Sequence, residues 1–522
     1  MSRAYYVTTP IYYVNAEPHI GHAYTYCVAD SLRRWHALHG RDAWLVTGTD
    51  EHGEKIAEAA AARGLDPKAF SDEISALFRA AWEEVGLGVD RFVRTTDPDH
   101  VRNVQAILQQ VHDAGWIEKR DYEGLYCVGC ERFLTERDLE DGKCRDHDRV
   151  PEPRRESNYF FLMSREFGWL RGLLEQGDLV RPERYRNEAL AMLRDESGLG
   201  DLSISRPKSR LTWGIELPFD RGYVCYVWFD ALISYLTGAG YDATASEQSE
   251  AFTARWAAAE HLIAKDILKP HAIFWPIMLK AIGLPPPRHV SVHGYWNVEG
   301  RKMSKSLGNV LSPLEVRERY GWEAFRYAVL REMSFGLDAD LRQAALVERI
   351  NADLANNLGN LVSRTLNLVD KLCGGAVPAA EGAEDAEARA LDEARRAVQR
   401  RAAEAVEALR VHDALAEIVA FASEVNRYLD GQAPWKAVKE PGGEARARTS
   451  LHHACQSLAT LAALLAAFLP DTAAAIAERL GAPELLRPPV FGEDGLAHAS
   501  VPAGARVVKG APLFPRLEAP AR

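Results

Sequence analysis

Long apolar runs are missing from this chain. The alanine-rich stretch at 454–468 is broken by polar residues, so it reads as a buried helix and not as a membrane span. The opening segment MSRAYYVTTPIYYV has no charged region, extended apolar stretch or small-residue cleavage site, and so does not read as a signal peptide. Cysteine is scarce and odd in number: seven in 522 residues, three of them between 127 and 144. That argues against a disulfide framework and for a reducing cytoplasm and a bound metal. A basic excess is also absent. With a formal net charge of −11, a polyanion would have to meet a local basic surface against an unfavourable overall field. No tandem repeat is visible. What remains, 47% hydrophobic and 26% charged, is an ordinary soluble composition, long enough for two to four domains.

The first half alternates strand-like and helix-like segments. Tyr5–Thr9 and Ala43–Thr47 are short runs rich in aromatic, Val and Thr residues, and read as buried strands. Between them Tyr24, Cys27, Val28, Leu32 and Trp35 recur at helical spacing, so the three segments make a parallel βαβ unit. Strand signals return at His261–Ala264 and His289–His293. A charge-rich, Cys-containing stretch at 117–222 interrupts this α/β pattern and reads as an insertion. From about 346 onward Ala, Leu, Glu and Arg dominate, with clear helical periodicity in 386–430 and 450–480, which is the pattern of a helix bundle. The Pro- and Gly-rich tail after 484 reads as extended and laid against the body.

Two short segments carry chemistry. Pro18-His19-Ile20-Gly21-His22 falls after a strand and directly before a helix. A helix N-terminus offers unpaired N–H groups and partial positive charge to a phosphate, Gly21 permits close approach, and two imidazoles can donate to phosphate oxygens. Arg301-Lys302-Met303-Ser304-Lys305-Ser306, followed by Leu307-Gly308-Asn309, is a cationic loop that can close over a triphosphate and neutralise departing pyrophosphate. Each alone is matched by a bland surface turn. Both together, in this order and about 280 residues apart, are not a plausible coincidence.

With these two signatures the chain resembles the class I aminoacyl-tRNA synthetases, whose HIGH and KMSKS sequences they match. The resemblance implies an α/β fold with a Rossmann-type parallel sheet, a connective insertion and an all-α anticodon-binding helix bundle. It implies transition-state roles for His19, His22, Lys302 and Lys305, and nucleotide contacts from these four with Gly21, His293, Gly294 and Ser304. No protein nucleophile is needed, because catalysis there is positioning and charge neutralisation. Further matches tighten the resemblance to the methionyl branch: Thr9-Pro10-Ile11-Tyr12-Tyr13-Val14-Asn15, Thr49-Asp50-Glu51-His52-Gly53, Tyr226-Val227-Trp228-Phe229-Asp230-Ala231, and Lys265-Asp266-Ile267 with His271, Phe274 and Trp275. By that resemblance Asp50 holds the substrate ammonium, while Ile11, Tyr13, Trp228, Ala231, Tyr235, Ile267, His271 and Trp275 line the side-chain pocket. A polarizable thioether packs well at ring edges. Ala264 and Leu232 depart from the Gly and Pro of some relatives, which leaves all catalytic groups in place but alters pocket shape.

The insertion carries Cys127-Val-Gly-Cys130, thirteen residues, then Cys144-Arg-Asp-His147. CxxC followed by CxxH supplies four ligands for one closed, structural Zn²⁺. At about 106 residues the insertion is too short for a large editing domain of the isoleucyl, valyl or leucyl kind. In a cysteinyl enzyme the zinc would instead bind the substrate thiol. Asn360-Leu-Val-Ser-Arg364 and Gln432-Ala-Pro-Trp435 resemble the anticodon-reading positions of the methionyl branch, where Asn, Arg and Trp contact the CAU bases.

These readings divide the chain into 1–116 and 223–290 (the two halves of the Rossmann domain), 117–222 (zinc-containing insertion), 291–345 (KMSKS and stem contacts), 346–484 (anticodon bundle) and 485–522 (extended tail). The expected function is activation of L-methionine with ATP, accompanied by Mg²⁺, and transfer to initiator and elongator tRNA(Met), by a cytoplasmic monomer without a membrane partner. The resemblance covers residues 4 to about 518 and does not extend to the C-terminal tRNA-binding appendix of some relatives. The alternatives are another class I synthetase and a catalytically silent paralogue that only binds tRNA.

Overall fold

The structure is a computed structural model that describes residues 4–15, 18, 20–128, 132–134, 138–145, 148–194, 199–298, 300–302, 312–381, 385–492 and 494–518. The chain divides into two compact units, one of residues 1–18 and 44–293 and one of residues 19–43 and 294–522.

The first unit is built on a six-stranded sheet ordered Arg91–Arg94, Asp42–Asp50, Ala4–Tyr13, Ala259–Ala264, His289–His293, Val180–Arg181. Asp42–Asp50 runs parallel to Arg91–Arg94. Ala4–Tyr13, Ala259–Ala264, His289–His293 and Val180–Arg181 form a second parallel run, with Thr8 opposite His261 and Ala264 opposite His293. Both faces of such a sheet are covered, which explains the near-continuous burial of the central strands. Both first strands, Ala4–Tyr13 and Asp42–Asp50, are longer than their apolar runs suggest, and in the second the pairing continues through the polar Thr49.

Helix Val227–Ala239 packs on this sheet: the Tyr6 hydroxyl donates to the Tyr235 carbonyl at 2.6 Å. A β-carbon added at Gly238 would stand 2.5 Å from Val46, so only glycine permits this approach. The order in which strands are added, though not their direction, reverses between the parallel neighbours Ala4–Tyr13 and Ala259–Ala264: from the first the sheet grows outward through Asp42–Asp50, from the second through His289–His293. In open α/β sheets ligands bind beyond the carboxyl ends of the strands at such a switch point. Those ends carry Tyr13, Asp50, Ala264 and His293.

The insertion is dominated by an antiparallel ladder of Ile117–Cys127 on Glu152–Phe161, in register from Ile117 opposite Phe161 to Tyr126 opposite Glu152. Arg132–Leu134 extends it, and helices Phe167–Gln176 and Glu183–Arg194 follow.

The second unit contains helix Ile20–Leu38, a small sheet of Trp296–Val298, Arg301–Lys302 and Ala339–Leu341, and a helical region. The helical region includes a π-helical stretch Ile350–Gly359 running into Asn360–Cys373, then Ala386–Glu407, Val411–Gln432, Gly443–Leu465 and Pro470–Arg479. The alanine-rich stretch lies largely in the buried helix Gly443–Leu465, as expected. Beyond Pro483–Leu486 the described tail has neither helix nor extended ladder, only the single bridges Phe491 to Ala497 and Ala376 to Arg506.

Helix Ile20–Leu38 groups with later residues through a buried ion pair. The Arg326 guanidinium lies 2.7 Å from Asp30, and also donates to the Phe468 carbonyl at 2.5 Å and the Ser31 hydroxyl at 2.9 Å. Burial opposes the Asp30 charge, but Arg326, Arg34 and Arg33 outweigh it and hold the carboxyl below its usual range. Among the described residues no helix is long and apolar enough to cross a membrane.

Candidate active site

Above the sheet, residues from a helix, a strand and the helical segment after it form two hydrogen-bonded pairs joined by ring contacts. Tyr235 comes from helix Val227–Ala239, His261 from the strand below, and His271 and Trp275 from the helical segment after it. The Tyr235 hydroxyl lies 2.7 Å from His271 Nε2, and His271 Nδ1 lies 2.8 Å from the Ile267 carbonyl. A carbonyl only accepts, so Nδ1 carries the proton and Nε2 accepts from tyrosine. Burial pushes the His271 pKa down to about 4, although the Ile267 bond works the other way. The ring is therefore neutral near pH 7.

The same logic sets the neighbouring histidine. The Trp275 indole donates to His261 Nε2 at 3.1 Å, so Nδ1 donates to the Thr8 hydroxyl at 2.8 Å. Burial, then His271, drive the His261 pKa well below the ordinary value. The Tyr235 ring stacks on His261 at 4.3 Å and meets Trp275 edge-on at 6.1 Å.

Trp228, Ala231 and Tyr235 recur at i, i+3, i+7 and share a helix face. Asp50 is buried at the end of its strand, where its carbonyl accepts from Val14 N at 3.3 Å. Its charge, together with that of Tyr12, adds to the burial that raises the Tyr235 pKa, so Asp50 lies within electrostatic range of the aromatic group. Ile11, Tyr13, Trp228 and Ile267 are half-buried, whereas Asp50, Ala231, Tyr235, His271 and Trp275 are buried. Of the departures, Leu232 is buried and Ala264 half-buried.

Sequence reasoning missed the supports of this aromatic group. His261, Thr8 and the stack of Tyr12 on Phe78 at 5.7 Å lie outside the motif residues assigned a role. Only the strand periodicity around His261 hinted at its place.

His293 is buried at the end of strand His289–His293. In the second unit Gly294 lies so close to Leu337 that an added β-carbon would stand 2.3 Å from the Leu337 carbonyl oxygen. Gly21 and His22 fall in the first turn of helix Ile20–Leu38. Lys302 pairs through its backbone with Asn297. His19, Ser304 and Lys305 lie outside the described residues, as do Cys130 and His147. Cys127 and Cys144 are buried in one small cluster with Leu134, flanked by Leu139. No group of three or more metal-ligating residues occurs among the described residues. In the second unit the Arg364 guanidinium lies 4.7 Å over the Trp435 ring and 2.6 Å from Asp430, while Asn360 is exposed one turn earlier.

Comparison with known proteins names the class first. Residues 5–144 and 137–366 match the family model for class I tRNA synthetases (M), a description that agrees with the parallel sheet. Residues 377–521 match the anticodon binding domain of methionyl tRNA ligase. Methionine–tRNA ligase of Deinococcus radiodurans is 44% identical over 99% of this chain and 75% of its own, and that of Streptomyces coelicolor 40% over 99% and 97%. A solved structure of Mycobacterium tuberculosis methionyl-tRNA synthetase in complex with methionyl-adenylate superposes with a TM-score of 0.91 at 36% identity, covering 98% of this chain and all of that one. The chain belongs to the methionine–tRNA ligase family. It activates methionine with ATP and transfers it to tRNA, and nothing in the comparisons favours a catalytically silent paralogue.

Proposed function

We propose that the pocket at the carboxyl edge of the sheet holds methionine and then its adenylate. The neutral Tyr235–His271 pair carries this reading. It presents polar atoms of fixed direction and no net charge to a thioether, while Trp275, Trp228, Ile11 and Tyr13 supply apolar and aromatic contact. A lysine or glutamate side chain would leave its charge unpaired there, and a shorter apolar one would leave space unfilled. Asp50 accepts from the ammonium group; Ala231 and Ile267 complete the wall.

In the first step a methionine carboxylate oxygen attacks the α-phosphorus of ATP. The new O–P bond forms as the bond to pyrophosphate breaks, and negative charge grows on the leaving group. His19, His22, Lys302 and Lys305 neutralise that charge, with Gly21, His293, Gly294 and Ser304 at the nucleotide, and Mg²⁺ accompanies ATP. In the second step a ribose hydroxyl of the terminal tRNA adenosine attacks the methionyl carbonyl and AMP leaves. Asn360, Arg364 and Trp435 read the anticodon bases.

The donor chemistry of the insertion fits one structural zinc. Cys127 and Cys144 are buried in a cluster of three residues, too small to hold the hairpins by hydrophobic burial alone. Cys127, Cys130, Cys144 and His147 would hold the ion, which would contribute folding energy rather than chemistry. Free thiols at Cys27, Cys225 and Cys455 fit a reducing, cytoplasmic setting. Pyrophosphate exchange tested across the twenty amino acids is expected to respond to methionine; activation of a different amino acid would overturn the pocket reading. Metal analysis is expected to find one zinc per chain, and a folded, active, zinc-free protein would remove the metal assignment.

A further inference from the structure

Asp230 has no exposed surface, yet both of its carboxylate oxygens are engaged by imidazoles from distant parts of the chain. His52 Nδ1 lies 2.6 Å from one oxygen and His100 Nε2 lies 2.6 Å from the other. Both rings are buried. None of the three has a role in the chemistry described above.

Their positions in the chain are informative. His52 stands two residues beyond Asp50, and Asp230 stands between Trp228 and Ala231, next to the latter. The His52–Asp230 contact therefore joins the loop that presents the ammonium acceptor to the helix that presents Trp228, Ala231 and Tyr235. His100 braces this junction from helix Pro98–Asp113. Its Nδ1 lies 3.1 Å from the Thr237 hydroxyl, which also accepts from Asn103 Nδ2 at 3.2 Å. Asn103 in turn donates to the Tyr241 carbonyl at 2.9 Å and accepts from Ala243 N at 2.9 Å. The loop is held on its other side as well. Arg94 binds Glu51 through two bonds of 2.6 and 2.8 Å, and the Trp213 indole donates to the Glu51 carbonyl at 2.5 Å. Asp50 is thus followed immediately by two residues whose side chains are fixed.

We propose that Asp230, His52 and His100 are positioning residues for methionine: together they hold the Asp50 loop and the Trp228–Tyr235 helix face in one relative placement, and so set the affinity of the pocket for its amino acid. This rests on the pocket reading above. A buried carboxylate is not the most economical way to stabilise a core, since well-packed apolar residues of equal volume often serve as well or better. What a fully bonded polar group adds is direction, because the carboxylate accepts from both rings along fixed lines. Burial works against ionisation of Asp230, but the charge and hydrogen bonds of His52 and His100 outweigh it and hold the carboxyl below its usual range.

The test compares His100→Phe, which removes the donor, with His100→Gln, whose amide nitrogen can stand near the place of Nε2. Asp50→Asn serves as the reference for the pocket itself. Methionine-dependent pyrophosphate exchange should show the KM for methionine raised roughly 10- to 100-fold in His100→Phe, through misplacement alone. The KM for ATP should stay within about 2-fold, and His100→Gln should recover methionine KM to within about 3-fold of the parent. Asp230→Asn should behave like His100→Phe, and carries the same comparison if the phenylalanine variant does not fold. A purely structural network would instead lower the unfolding temperature and the yield of active enzyme while leaving the methionine KM of the folded fraction unchanged; that result, or a glutamine variant no better than phenylalanine, overturns the proposal. If Asp50→Asn leaves the methionine KM unaltered, the pocket reading fails. If Asp50→Asn raises it while His100→Phe and Asp230→Asn do not, only the positioning role fails.

Discussion

On the reading proposed above, the amino-acid pocket and the anticodon surface recognise their targets by opposite means. In the pocket the polar atoms of Tyr235, His261, His271 and Trp275 are buried and bonded to one another, with each imidazole proton assigned by its partner. At the anticodon surface Arg364 is partly exposed and pairs with Asp430, whose side chain is 64% exposed. Arg364 also covers the face of Trp435. The first arrangement is complete before the ligand arrives, so little ordering remains to oppose binding of a small flexible side chain. The second is built to exchange partners. An exposed ion pair contributes only about 0.2–1 kcal/mol, so Arg364 can leave Asp430 for RNA at small cost and free the indole face for a base.

The largest effect that would sharpen this contrast is expected at Asp50. Asp50→Asn keeps the shape but removes the charge proposed to meet the ammonium group. Loss of one preorganised charged partner typically costs roughly 10²- to 10³-fold in rate, and kcat/KM for methionine in pyrophosphate exchange should fall by that order. A near-normal value would mean that the ammonium is held elsewhere.

A second effect follows from the buried imidazole. His271 has a folded pKa of about 4 against an ordinary value of 6.5. Above pH 6.5 the ring is neutral in both folded and unfolded chains and adds no pH dependence. As pH falls from 6.5 towards 4, the unfolded chain takes up a proton that the folded site refuses, so stability declines, and the decline levels off below about 4. At about 1.4 kcal/mol per pH unit, the full loss from this group is about 3 kcal/mol. Unfolding temperatures of parent and His271→Gln should therefore converge between pH 7.5 and pH 5. Parallel curves would show that the histidine is not held neutral.

At the anticodon surface, Trp435→Ala should leave methionine-dependent pyrophosphate exchange intact and slow charging at low tRNA concentration. Base–aromatic stacking is worth about 1–3 kcal/mol, or roughly 5- to 150-fold. A stable variant that charges tRNA normally would remove Trp435 from recognition and break the contrast at its second term.

How legible these features were depends on how far apart in sequence their parts lie. Four strands of the sheet could be read from runs of aromatic, Val and Thr residues or their return later in the chain, and His289–His293 has the bounds its residues suggest, whereas Arg91–Arg94 and Val180–Arg181 are too short and too polar to be read that way. Trp228, Ala231 and Tyr235 are reached through the resemblance to the methionyl branch, and the structure places them on one helix. The support beneath them could not be read. Thr8 finds His261 across 253 positions, and His100 finds Asp230 across 130. A histidine in a helix such as Pro98–Asp113 gives no local sign of its partner. For the same reason nothing in the periodicity of helix Ile20–Leu38 announced that Asp30 pairs with Arg326, which groups that helix with the second unit.

The smallest expected effect is also the most specific to the pocket. Tyr235→Phe preserves the ring that stacks on His261 and loses only the hydroxyl that donates to His271 Nε2. The imidazole cannot compensate by changing tautomer, because its other nitrogen must keep its proton for the Ile267 carbonyl. Nε2 is then left as a buried acceptor without its donor, at a cost of about 1–3 kcal/mol. Part of that cost is borne by the free enzyme and lowers its unfolding temperature. The rest should appear as a rise of roughly 10-fold in the KM for methionine, with kcat for exchange changed less, because on the proposed reading the hydroxyl serves the side-chain pocket and not the reacting carboxylate. A preorganised pocket predicts both changes together. If Tyr235→Phe loses thermal stability and keeps its methionine KM, the pair is a packing feature and the pocket is less finished than the anticodon comparison supposes. If it loses methionine affinity at unchanged stability, the hydroxyl acts on the ligand itself rather than through the histidine.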